Sequence, residues 1–257
     1  MAQFKKKIVL ITGASSGIGM ACADSFGKAG ARLILAARRA DRLRAKAADL
    51  KNRFGTECLT IPLDVRDRRA VEKSLSSLPQ SWRDVEVLLN NAGLSRGLHK
   101  LHEGSPVDWD EMIDTNVKGL LYVTRTILPG MVERGRGHVI NIGSIAGREV
   151  YPSGNAYCAS KFAVKAITRG LRMDLLGTPV RVSTIDPGMV ETEFSLVRFR
   201  GDEERAAKVY EGLKPLAPQD IAEAVLWVAS RPPHVDVSEM VVLPTAQASA
   251  TMAHRKV

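Results

Sequence analysis

Residues 8–19 read IVLITGASSGIG: four large apolar residues run straight into a loop of three glycines and two serines. A short, wholly apolar run of this kind is the pattern of a strand covered on both faces. Glycine lets the backbone turn sharply and lets a ligand come close to the amides. The helix that opens next offers unpaired N–H groups and a partial positive charge to an anion. Strand, glycine loop and helix together predict a phosphate cradle, with Gly13, Ser15, Ser16, Gly17, Ile18 and Gly19 as its candidate binding residues. The glycines are spaced G-x-x-x-G-x-G, unlike the common dinucleotide fingerprint. No Gly-Lys-Ser/Thr follows, so the loop is not that of a nucleoside-triphosphatase.

The same alternation continues outward from this stretch. Strands are predicted at Lys7–Thr12, Arg32–Ala37, Glu57–Ile61, Glu86–Asn90, His138–Ile142, Val180–Ile185 and Met240–Leu243. Helices are predicted near 17–29, 40–53, 67–77, 108–134, 154–176 and 219–230. Repeated strand–helix alternation argues for an α/β fold: a doubly wound parallel sheet of about seven strands with helices on both faces. No linker or repeat divides the chain, so a single domain is expected over 1–257, with an insertion near 188–218 that carries Phe194, Phe199 and Tyr210 and has the length of a binding loop.

The chain has 257 residues, 45% of them hydrophobic and 25% charged, the balance of a globular protein. No apolar run approaches the roughly 18 residues needed to cross a bilayer, so no membrane partner is expected. The net charge of +9 resides entirely in residues 1–53, which hold 12 basic and 3 acidic side chains. No aromatic or zinc pattern accompanies that charge, and no nucleic-acid partner is expected. Most of the stretch from Arg38 to Arg53 reads as a solvated helix face. The three cysteines, Cys22, Cys58 and Cys158, lack metal-ligand spacing and read as free thiols. Lys5–Lys7 followed by apolar residues mimics a secretion signal, but Thr12 and Gly13 interrupt the apolar part too early. The expectation is a cytoplasmic protein with no metal.

Two further features concern the ligand. Ala37-Arg38-Arg39 ends the second strand, where an acidic residue would accept hydrogen bonds from an adenosine ribose. Arginine instead suits an added phosphate, which predicts NADP rather than NAD. Each charge-assisted hydrogen bond contributes about 1.5–3 kcal/mol, so two predict a preference of roughly 10²-fold or more. Asn91, Ala92 and Gly93 close the fourth strand, and their small size permits close approach to a cofactor ribose.

Tyr157 and Lys161 stand four apart, on one face of a predicted helix. An ammonium about 4 Å from a phenol contributes about 4 kcal/mol at an effective dielectric of about 20, enough to bring a tyrosine near neutrality. Tyr210 and Lys214 have the same spacing, but no strand end or serine precedes them, and they read as a helix-surface pair. Tyr157 follows the fifth strand and Ser144, at the carboxyl edge where ligands bind in such sheets.

TGASSGIG, NNAG, Asn116, Ser144, Tyr157-Cys158-Ala159-Ser160-Lys161 and Asp186-Pro187-Gly188 together resemble the short-chain dehydrogenase/reductase family over nearly the whole chain. More narrowly, MIDTNVKGLLYVTR, LPGMVERGRGHVINIGSIAG and TEFSLVRFRGD are similar to bacterial NADP-dependent 3-hydroxy acid dehydrogenases, a match that loosens after Tyr210. The resemblance implies a Rossmann-type NADP enzyme, usually a homotetramer pairing its two longest helices. The implied reaction transfers a hydride between the nicotinamide and small 3-hydroxy acids such as L-allo-threonine, serine and 3-hydroxypropionate, the last giving malonic semialdehyde. It implies that Ser144 bonds the substrate oxygen, Tyr157 passes the proton, and Lys161 holds the nicotinamide ribose and lowers the tyrosine pKa. Asn116 would support a water relay, Asp64 and Val65 bracket the adenine, and Pro187, Gly188, Val190 and Thr192 hold the carboxamide end.

A hydroxy acid needs a cation for its carboxylate, and Arg148, Arg198 and Arg200 are the candidates. Two alternatives stay open: the same chemistry on sulfoacetaldehyde or a neutral ketone, and a non-catalytic NADP-binding regulator.

Overall fold

The computed structural model describes residues 4–256; the ends of the expected 1–257 domain, residues 1–3 and 257, lie outside them. Seven parallel strands form one sheet: β1 (Ile8–Thr12), β2 (Arg32–Ala37), β3 (Cys58–Pro62), β4 (Val85–Asn90), β5 (Gly137–Ile142), β6 (Val180–Pro187) and β7 (Glu239–Val242), in the spatial order β3-β2-β1-β4-β5-β6-β7. Every pairing is parallel, with Ile8 opposite Arg32 on one side of β1 and Leu10 opposite Leu88 on the other. The strand order reverses between β1 and β4, so the crevice expected of a doubly wound sheet opens at their carboxyl ends.

Alternation along the strands feeds two cores. Val9, Ile11, Leu33 and Leu35 face α1 (Gly17–Lys28), α2 (Ala40–Phe54) and α9 (Pro218–Ala229). Ile8, Leu10, Ile34 and Leu88 face α3 (Arg68–Ser76) and α5 (Leu120–Glu133). All five residues of β1 are buried. Burial on both faces explains why these strands read as unbroken apolar runs. Near the centre, Asn90 bonds Thr124 and Asn141, each at 2.9 Å, and Asn141 bonds Thr168 at 2.9 Å, which ties α5 and α6 (Asn155–Asp174) to the sheet.

Three expectations change. The helix predicted over 108–134 divides into α4 (Pro106–Ile113), a π-helical stretch from Asp114 to Gly119, and α5. Such widened turns often mark functional sites, and this one holds Asn116. The insertion contains two short helices, α7 (Glu193–Arg198) and α8 (Glu203–Lys208). The stretch from Arg38 to Arg53 is not simply a solvated face. Lys46 is buried and pairs with Asp24 and Asp49 at 2.7 and 3.1 Å, and Arg39 and Arg42 reach across to Glu193. Among the described residues the cysteines are free, no group of His, Cys, Asp or Glu is arranged to hold a metal, and no helix is long and apolar enough to cross a membrane.

Candidate functional site

A cleft of about 520 Å³ lies along the carboxyl ends of β1, β2, β4, β5 and β6. The glycine loop forms its floor. Gly13 has φ +65°, and a Cβ there would lie 2.9 Å from Ala92 Cα. At Gly19 a Cβ would come within 2.5 Å of Gly13 O and 2.4 Å of Asn91 Nδ2. These contacts are with backbone or with a tethered amide, so only glycine fits. The loop is locked to β4: Asn91 Nδ2 donates to Thr12 O and Gly13 O at 3.0 and 3.2 Å, while Thr12 Oγ1 accepts from Asn91 N and Ala92 N at 3.0 Å each. Gly19 supports this cradle from below, whereas Gly13, Ser15, Ser16, Gly17 and Ile18 line the cleft.

Arg38 and Arg39 line the same end. Arg39 donates to Ser15 Oγ at 3.2 Å and to Glu193 at 2.9 Å. Arg38 has no hydrogen bond or ion pair among the described residues, so its guanidinium is available to an anion. Asp64 and Val65 edge the cleft beside them. Burial raises the Asp64 carboxyl, but the Arg66 hydrogen bonds outweigh it and hold the group below its usual range. A glycine loop without side chains beside the unengaged Arg38 guanidinium and the spare donors of Arg39 fits a phosphorylated dinucleotide.

Ser144, Tyr157 and Lys161 meet at the other end. Ser144 heads the short turn Ile145–Gly147, where its Oγ accepts from Ala146 N at 3.1 Å, and it lines the cleft together with Tyr157. Lys161 Nζ donates to Ile142 O at 2.9 Å and stands 5.9 Å from the Tyr157 ring centroid. Burial pushes the Lys161 ammonium down to about 8, with the Asp186 carboxylate opposing. Burial and the neighbouring Tyr151 phenol push Tyr157 above its ordinary value. Arg198 and Ser144 pull it back, so the expected acidification by Lys161 is not what this geometry shows. Asn116 is buried, donating to Leu94 O and Ser160 Oγ at 2.8 and 3.0 Å and accepting from Leu94 N at 2.8 Å. Gly93 lies between it and the lysine: a Cβ there would be 3.2 Å from Asn116 Oδ1 and 3.7 Å from Lys161 Nζ.

The three arginines that were candidates for a substrate anion separate. Arg198 lines the cleft, its guanidinium 5.4 Å from the Tyr157 ring centroid, with Nη2 donating to Tyr151 Oη at 3.2 Å. Its Nε is buried with no partner among the described residues. Arg148 does not enter the cleft; it donates to Asp186 at 2.6 Å and to Glu239 at 2.5 Å, held back by one buried and one half-buried carboxylate. Arg200 turns away at φ +55° and pairs with Asp108.

Pro187 at the end of β6 and, within 188–218, Gly188, Val190 and Thr192 line the cleft as expected, joined by Glu193, Phe194 and Val197. Tyr210 is a correction. It is not a helix-surface residue but lines the cleft, bonded to Ser195 Oγ at 2.8 Å and Val190 O at 2.9 Å.

The family model of the short chain dehydrogenases matches residues 7–202. The chain belongs to the short chain dehydrogenase family. An NADP-dependent 3-hydroxy acid dehydrogenase of Salmonella typhi is 51% identical over 250 residues, spanning 96% of this chain and 99% of its own length. Its namesake from Escherichia coli strain K12 is 46% identical over 251 residues, spanning 97% and 100%. A serine dehydrogenase solved in its closed form with NADP+ superposes with a TM-score of 0.90 at 46% identity, covering 97% of this chain and 100% of that one.

Within this short chain dehydrogenase, sequence reasoning missed Tyr151 as an individual residue, and also Glu193, Phe194 and Gln247. Phe194 sat in the insertion already given the length of a binding loop. Gln247 accepts from Met189 N at 2.9 Å and crowds Gly188, yet nothing in a lone glutamine near the end of a chain announces that.

Proposed function

We propose that this NADP-dependent enzyme of the short chain dehydrogenase family oxidises the hydroxyl-bearing carbon of small 3-hydroxy acids: L-allo-threonine, serine and 3-hydroxypropionate, the last giving malonic semialdehyde. The observation that carries the substrate class is Arg198, a cation beside Tyr157 whose buried Nε lacks a partner among the described residues. A 3-hydroxy acid holds its carboxylate one carbon from the reacting carbon, so a single small molecule can touch the guanidinium and the phenol together.

The cleft residues divide the work. The loop from Gly13 to Gly19 and the Arg38–Arg39 pair hold the diphosphate and the adenosine 2′-phosphate, Asp64 and Val65 the adenine. Asn91 to Gly93 and Lys161 hold the ribose, and Pro187 to Thr192 hold the carboxamide. Bound there, NADP supplies the hydride acceptor, or the donor in reverse. Ser144 hydrogen-bonds the substrate oxygen, and Tyr157 takes the hydroxyl proton during oxidation or returns it during reduction. Lys161, with an ammonium pushed to about 8, keeps positive charge near that phenol. Asn116 fixes the loop at Leu94 and supports a water path from Lys161. Residues 188–218 act as the substrate loop of one catalytic domain.

The reading extends to a homotetramer in the cytoplasm. Leu121 on α5 and Phe162 on α6 are apolar and 42% and 40% exposed, which suits pairing of the long helices.

The test follows NADPH absorbance with a panel of 3-hydroxy acids, semialdehydes, sulfoacetaldehyde and simple ketones. Arg198→Met should raise the KM for serine about 10–100-fold, the loss of one charge-assisted hydrogen-bonding group. It should leave a neutral ketone nearly unaffected. Tyr157→Phe should lower kcat about 10²–10⁴-fold in the same assay. An unchanged KM for serine, or best turnover on neutral ketones, overturns the substrate class. Wild-type inertness towards the whole panel would favour a cofactor-binding regulator.

A further inference from the structure

The six-residue helix α7 touches both ends of the cleft. Its last residue, Arg198, stands over Tyr157. Its first, Glu193, accepts from two guanidinium groups at once, Arg39 Nη1 at 2.9 Å and Arg42 Nη1 at 2.5 Å. Arg39 is fastened in turn to the phosphate loop, with Nε on Ser15 Oγ at 3.2 Å and Nη2 on Ser15 O at 3.4 Å. Thr192, just before α7, rests against Gly17, where a Cβ would lie 3.3 Å from its side chain. Burial alone would raise the Glu193 carboxyl, but the Arg39 and Arg42 hydrogen bonds outweigh it and keep the group ionised.

We propose that Glu193 is a positioning residue for cofactor choice: its carboxylate holds Arg39 against the phosphate loop and ties the substrate helix to the adenosine 2′-phosphate pocket. This rests on the reading that NADP binds at Arg38 and Arg39. A guanidinium has five N–H donors in a fixed fork. Arg39 spends three of them on Ser15 and Glu193, which leaves two for a phosphate. A side chain already held in place loses less rotamer freedom when its ligand arrives. NAD, whose ribose offers a neutral hydroxyl there, draws little from that preparation. Through α7 the same tie reaches Arg198, so grip on the 2′-phosphate and grip on the substrate anion are coupled.

A competing effect has the opposite sign. A carboxylate near the 2′-phosphate repels it, and removing that carboxylate would tighten NADPH binding. The Arg39, Arg42 and Glu193 side chains are 39%, 42% and 39% exposed, so either effect is a matter of a few-fold, and its direction decides.

The experiment compares Glu193→Gln, Arg42→Met and the double variant. NADPH and NADH dissociation constants come from quenching of protein fluorescence, and exchange of the α7 amides is followed in cofactor-free protein. Each single variant should weaken NADPH about three- to tenfold, leave NADH within about twofold, and speed exchange of the α7 amides. The double variant should be no weaker than the singles, because both break one tie. Tighter NADPH binding by Glu193→Gln, equal losses for the two cofactors, or unaltered constants would each overturn the proposal. None of these readouts uses a hydroxy acid, so failure of the substrate assignment leaves them intact. A wild-type preference for NADH would instead sink the cofactor reading itself.

Discussion

Arg148 shows how much a side chain's partners matter. Four residues beyond Ser144, it has the position of a substrate ligand, yet it spends its charge on Asp186 and Glu239. Arg169 and Arg148 together hold the Glu239 carboxyl down to about 2 against burial. Removing Arg148 leaves Asp186, only 2% exposed, without its cation. Arg148→Met should therefore destabilise the protein by about 3 kcal/mol, the lower part of the range for breaking a buried ion pair. That corresponds to a fall in Tm of roughly 6–12 °C. Calorimetry checks it, and a wild-type melting point would place the cation in the cleft after all. Arg198 comes out the other way: it is a surface-type residue by composition, yet the structure buries its Nε beside two phenols.

The elements themselves were largely legible. All seven predicted strands and all six helical regions are present, with ends that move by a few residues. Buried parallel strands announce themselves by unbroken apolar runs, and helices by their wider period. The π-helical stretch at Asn116 was not legible, because local propensity does not distinguish it from a regular turn. Nor were α7 and α8, which are short and owe their shape to what they cover. The loop between β1 and α1 depends on a single backbone state. Gly13→Ala places a methyl at φ +65° against the Ala92 backbone. NADPH binding should weaken about 5–150-fold, since strain at such a position runs to about 1–3 kcal/mol. Fluorescence titration reads this directly, and an affinity matching the wild type would show that the loop relaxes without loss.

Taken together, the sheet buries one group whose titration touches the entire fold. His138, at the start of β5, donates to or accepts from Ser183 Oγ at 2.7 Å, and burial with the nearby Arg181 cation pushes its pKa from 6.5 to about 3. Above pH 6.5 the ring is neutral in both folded and unfolded chains, so its contribution to stability is fully present. As pH falls from there towards 3, the unfolded chain takes up a proton that the folded one refuses. Stability should then decline by about 1.4 kcal/mol per pH unit from this group. In urea unfolding at stepped pH, His138→Gln should lose roughly 2–3 kcal/mol less than wild type between pH 6 and 4. Parallel pH dependence in the two proteins would assign acid sensitivity to the carboxylates.

The sequence by itself determined the parallel sheet, the phosphate loop, the NADP-suited arginines and the Ser144–Tyr157–Lys161 set. Each is written in residues close together in the chain or repeated with a fixed period. Only the tertiary structure decided which of three arginines enters the cleft, that Tyr210 lines it, and that Glu193 meets Arg39 across 154 positions. The reason is physical: a charged side chain goes wherever folding brings an opposite charge or an accepting oxygen within about 3 Å, and one-dimensional spacing carries no record of that distance.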